Sequence, residues 1–185
     1  PTTRVHQLYS ISIDGGTPTQ ELTTAAMEAR FSPNGRMLAY MDNKAYESGL
    51  RKHDVSAFAR DIWTYNLRSN KHEKLSTFVG GDSNPVWSND GKIIYFLSEQ
   101  KTNNFNVWKM NTQGQALSQV SDFDMHPVRH LSISDNGIMA YSWHGNLYSQ
   151  TDGGKPQKLD INLIAPKVNV AQMSESISGK ANRFS

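Results

Sequence analysis

The chain has 185 residues, room for one domain with a sizeable core, and a formal charge of +2 with Lys and Arg spread evenly along it. That balance speaks against a nucleic-acid partner or a polybasic membrane contact. There is no cysteine, which excludes disulfides and thiolate metal sites, and no apolar run reaches the roughly 18–20 residues of a membrane-spanning helix.

Taken in chain order, QLYSISI from Gln7 alternates as a strand, DGGTP from Asp14 reads as a turn, and QELT from Gln20 as a second strand. RFSPNGRMLAY from Arg30 is a hairpin, because Pro33 presets φ for a tight turn while Asn34 and Gly35 tolerate positive φ. DIWTYNL from Asp61 follows as a third strand, LRSNKH as a turn, and EKLS from Glu73 as a fourth strand. The series then repeats. VWSNDGKIIYF from Val86, NVWKMN from Asn106 and SQVS from Ser118 form one copy; SISDNGIMAY from Ser132, NLYSQT from Asn146 and QKL from Gln157 form another.

A period of roughly 40–50 residues, with four short strands per copy and no helical periodicity, predicts an all-β chain: a β-propeller segment of four-stranded antiparallel blades. The boundaries expected are a half blade at 1–24, blades at 25–76, 77–121 and 122–160, and a linker at 161–185, with a fresh first strand opening at Phe184 and Ser185. Since a closed ring takes about four to eight blades, the chain is expected to be an incomplete ring. It also starts at Pro1 with neither an initiator Met nor a signal-type segment, so the expectation is either that a leader has been removed or that the chain is part of something longer.

The repeats also predict register. Leu8, Ile62, Val107 and Leu147 fall in one column and Tyr9, Trp63, Trp108 and Tyr148 in the next, facing opposite sides of their sheets. The aromatic column, with Phe31, Trp87 and Ile133 on the first strands, is expected to fill the wedge between blades.

RFSPNG at Arg30 and DIW at Asp61 resemble the two halves of tricorn-type and TolB-type propeller repeats. RKHDVSAFARDIW from Arg51, NPVWSNDGKIIYFLSEQ from Asn84, HPVRHLSIS from His126 and YSWHGNLYSQTDGGKPQKLDI from Tyr141 are similar to the first propeller of bacterial tricorn-like serine peptidases. The resemblance implies a non-catalytic propeller of a large modular peptidase, acting in peptide passage or domain contacts. It carries no catalytic residue onto this chain. The alternative is a TolB-like protein-binding scaffold acting in the periplasm; with both readings kept, the expected compartment is periplasmic or cytoplasmic.

No G-x-S-x-G, H-E-x-x-H, phosphate-loop or dinucleotide pattern is present, so neither a catalytic site nor a cofactor is expected. His126, His130 and His144 are close in sequence, but Pro127 argues against a helix that would present the first two on one face; interblade hydrogen bonding or exposure is expected instead of metal binding. Asp82, Asp90, Asp122 and Asp124 read as turn residues that accept bonds from loop amides. The stretch 42–60 is a long loop between the second and third strands of its blade, and two readings stay open for it: its Tyr46, Arg51, Lys52, His53 and Phe58 suit contact with a peptide or a neighbouring domain, or it is a mobile solvated loop. Peptides and other domains are therefore the expected partners, together with self-association through the open ends.

Overall fold

The computed structural model describes residues 5–44 and 57–162. These residues form three antiparallel sheets. The first holds β1 (Gln7–Ser10), β2 (Thr19–Phe31), β3 (Met37–Asp42), β4 (Ile62–Asn66) and β5 (Lys71–Lys74) in that order. The second holds β6 (Asp82–Trp87), β7 (Ile93–Ser98), β8 (Asn106–Asn111) and β9 (Ser118–Gln119), and the third β10 (Arg129–Ile133), β11 (Met139–Trp143), β12 (Asn146–Gln150) and β13 (Gln157–Lys158). All are meanders of sequential neighbours, the form of unclosed propeller blades.

The turn between the first two strands of each blade is built by one serine. Ser32 donates its N–H to Met37 O (2.8 Å), and its hydroxyl accepts from Met37 N (3.0 Å) and donates to Asn34 Oδ1 (2.9 Å). Ser88 repeats this with Ile93 and Asp90, so Asp90 is the turn residue its sequence implies. Ser134 closes on Ile138, one residue sooner. That shortening brings Tyr141 level with Tyr40 and Phe96, so the pairs Tyr40–Trp63, Phe96–Trp108 and Tyr141–Tyr148 are equivalent.

The predicted columns hold. Ile62 and Val107 are fully buried toward the following sheet, while Trp63 and Trp108 face the preceding one. Leu147 occupies the same station but is 46% exposed, because no further blade covers it among the described residues.

Two wedge fillers depart from expectation. Trp87 is buried between the first two sheets and its Nε1 donates to Arg30 O (2.9 Å), yet Phe31 and Tyr9 are each 51% exposed. Tyr9 lies on β1 itself, with no sheet before it among the described residues, and Phe31 faces backward, toward a blade of which only β1 and the start of β2 are present. Those two strands cover Leu38 and Tyr40 through Leu8 and Leu22 and leave Phe31 bare. Moreover, QELT and RFS, read as strands of separate units, are the two ends of the single strand β2.

Each inner strand is bulged at the same place, with Glu28, Asn84 and His130 at φ 50°, 54° and 59°. A bulge swings its side chain off the ladder, and in the first two sheets it reaches to the next blade. Glu28 Oε2 accepts Asn84 N–H (2.7 Å); Asn84 in turn donates to Leu131 O (3.0 Å) and accepts from Leu131 N–H (2.8 Å). This relay joins the three inner strands.

Candidate contact site

The connections between second and third strands differ sharply among blades. In the third sheet it is a tight His144–Gly145 turn with φ 46° and 74°, suited to a two-residue hairpin. In the first sheet it is the long insertion, whose residues 45–56, including Tyr46, Arg51, Lys52 and His53, lie outside the described residues. Phe58 is described, and is 53% exposed at the foot of the insertion.

The neck beneath is tied from both sides. Asp42 donates its N–H to Asp61 O (3.1 Å), and its Oδ1 accepts Asp61 N–H (2.8 Å). Lys44 then crosses the neck, donating to Ala59 O (2.5 Å) and to Asp61 Oδ2 (2.6 Å), with Asp42 at 3.5 Å. Lys74 reaches the same Asp61 oxygen at 2.9 Å, and Trp63 Nε1 donates to Asp42 Oδ2 (3.2 Å). Burial opposes the charge on Lys44, but its bond to Asp61 and the nearby Asp42 outweigh it, so its pKa is raised. Asp61 is itself buried, and a shielded, doubly paired carboxylate holds its partners more firmly than a surface ion pair does. The two described flanks of the insertion are thus bonded to each other.

Beside the neck is a cavity of about 320 Å³ walled by Tyr40, Asp42, Lys44, Trp63 and His72. Tyr40 OH and His72 Nδ1 are 2.9 Å apart; burial, then Asp42, push the phenol up to about 12, and burial lowers His72. The pair is therefore neutral near pH 7, and the cavity's charged groups are already engaged with each other.

The remaining sequence candidates are dispersed. His126 and His144 stack at 4.3 Å beside the Phe123–Trp143 stack, while His130 is an exposed bulge residue, so the three imidazoles do not converge. Among the described residues no three acidic, His or Cys side chains are grouped to hold a metal. Asp122 is exposed, accepting from Gln119, and Asp124 offers its carbonyl to His126 N–H. Asp82 is not a turn residue: it lies in β6 and is completely buried, because the inner strand begins two residues earlier than its Asn-Pro turn signal suggests. Sequence reasoning also missed Lys44 and Asp61 as partners, though DIW marked Asp61 as a recurrent position. No described helix is long and apolar enough to cross a membrane.

A set of four- and five-stranded meanders with bulged inner strands defines a propeller-class domain. The model of the tricorn protease N-terminal β-propeller domain matches residues 1–156, and the chain belongs to that family. Uncharacterized protein Atu1656 of Agrobacterium fabrum is 24% identical over 162 residues, covering 84% of this chain, which spans only 48% of that relative's length. Among solved structures, the tricorn protease superposes with a TM-score of 0.72 at 22% identity, over 88% of this chain and 15% of that one. A putative TolB from Agrobacterium tumefaciens superposes at 0.65 and 20% identity, over 83% and 56%. At these identities the structural likeness speaks for the fold.

Proposed function

We propose that this chain is a contact-making propeller segment, a protein-binding scaffold of the TolB kind, which engages its partner through the rim that carries the insertion. The observation that carries this reading is the neck: Asp42, Lys44, Asp61 and Lys74 hold a long insertion on rigid sheets, with the apolar Phe58 half-exposed at its foot. Functional loops on rigid scaffolds are the usual way such folds bind. A photo-crosslinking residue at Phe58 is expected to trap one predominant protein, and the same probe at the distant turn residue Lys92 none. Equal, unselective labelling at both positions overturns the reading.

A second reading follows from the family itself: an accessory propeller of a tricorn-like peptidase that guides peptides or contacts sister domains. A PDZ-like module and a serine-peptidase core further along the parent reading frame would favour it, and a stop after one complete ring would favour the scaffold. Under both readings this chain by itself hydrolyses no peptide, since nucleophile, base and oxyanion donors must converge in one place and no sequence pattern supplies them. A serine-directed covalent probe is expected to leave the chain unlabelled; saturable labelling of one serine contradicts both.

A further inference from the structure

The second blade breaks its own repeat at one buried station. Ala26, Asp82 and Val128 are equivalent: each sends its N–H to the segment ahead of a third strand, Ala26 to His6 O (3.1 Å), Asp82 to Arg60 O (2.8 Å) and Val128 to Phe105 O (2.8 Å). All three are buried, and only Asp82 is polar. The hydroxyls of Ser98 and Ser76 face it, yet neither of its carboxyl oxygens has an aligned hydrogen-bond partner. An ionised carboxylate in such a place is costly.

Its surroundings connect it to the neck. Ser76 Oγ accepts Ile62 N–H (2.9 Å) and donates to Asp61 Oδ1 (3.3 Å), and Asp61 holds Lys44 and Lys74. Asp61 and Lys74 are also the charges felt most at Asp82. Asp42 stands behind Lys44, Arg60 lies on the strand side through its carbonyl, and Glu99 accepts Gly81 N–H (3.4 Å) on the far side. A hydroxyl has a single proton to give.

We propose that Asp82 is a proton-operated switch at the junction of the first two sheets: protonated, it is a neutral filler like Ala26 and Val128, and ionised, it draws the Ser76 hydroxyl and Lys74 away from Asp61 and loosens the neck. Any effect on partner binding rests on the function proposed above, whereas the switch itself does not. Burial pushes the carboxyl up, the Ser98 and Ser76 hydroxyls pull it back, Asp61 raises it and Lys74 lowers it, leaving it at about 7. The sign follows directly. A folded-state pKa above the unfolded value of about 3.9 gives stability that is complete at low pH and is lost as pH rises through about 7.

The test uses the whole chain. Carboxyl-carbon NMR of the wild type is expected to show Asp82 titrating between pH 6 and 8. Over the same range, hydrogen exchange at the Ile62 amide, corrected for intrinsic rate, is expected to lose about 10-fold protection in the wild type and none in Asp82→Asn. Asp82→Val, which installs the third blade's residue, serves if the amide variant fails to fold. Titration of Asp82 below about pH 5, or equal loss of protection in wild type and variant, overturns the switch. Neither outcome bears on Phe58 crosslinking, so failure of the switch and failure of the proposed function are separable.

Discussion

Replacing Trp108 with Ala is expected to destabilise the protein by about 3–5 kcal/mol, the range for emptying a large buried aromatic site. The ring sits between the first two sheets against Ala39, Ile62, Leu75, Trp87, Phe96 and Met110, all buried. No neighbour collapses easily into the space, because β-sheet backbones on both sides are held by their ladders. Trp108→Phe should be far milder, below about 1.5 kcal/mol. Its indole N–H is buried without an acceptor, so removing that atom relieves a desolvation cost. Trp87→Phe should fare worse than Trp108→Phe, since it strands the Arg30 carbonyl that its Nε1 now satisfies. Denaturant midpoints for the three variants check the order. A Trp108→Ala loss under about 0.5 kcal/mol would mean the ring is not packed between blades.

Asn84→Ala is expected to cost about 2–4 kcal/mol, because it leaves both Leu131 N–H and Leu131 C=O without partners in a buried junction. A left-handed backbone adds strain of about 1 kcal/mol for any residue with an ordinary Cβ, and Asn84 has φ 54°. Asn84→Gly removes the clamp but not the conformation, so it should be the milder of the two. Asn84→Asp keeps an acceptor for the amide and turns a negative charge on the carbonyl. Exchange protection at the Leu131 amide should fall in Asn84→Ala and Asn84→Gly and be kept in Asn84→Asp. Unchanged protection in Asn84→Gly would show that the inner strands are held by packing alone.

Much of the fold was legible in the sequence because its determinants are local. The Ser-x-x-Gly turns announced themselves through Pro33, Asn34, Asp90 and the glycines that follow, and the alternation from Ile62 and Val107 gave the correct faces. The exposure of Phe31 was not legible, since it depends on two strands of a neighbouring blade that the described residues do not include. Nor was the burial of Asp82: its sequence, GGDSNP, has the composition of a turn, and tertiary packing overrode it. At the candidate contact site the loop was visible as an excess of residues between two strands, whereas its neck was not. Lys44 and Asp61 are 17 residues apart, and no periodicity links them.

The Ser32, Ser88 and Ser134 turns and the faces of the strands they join were thus decided by the sequence alone, because a turn and a two-residue alternation leave each hairpin one satisfactory ladder. The tertiary structure decided which faces are covered, which bulged side chain crosses to which blade, and where a carboxyl is forced out of water. Those outcomes depend on contacts between sheets, such as Glu28 to Asn84 and Asn84 to Leu131, whose partners lie 56 and 47 residues apart. Packing geometry brings such residues together, and no local pattern in the chain encodes it.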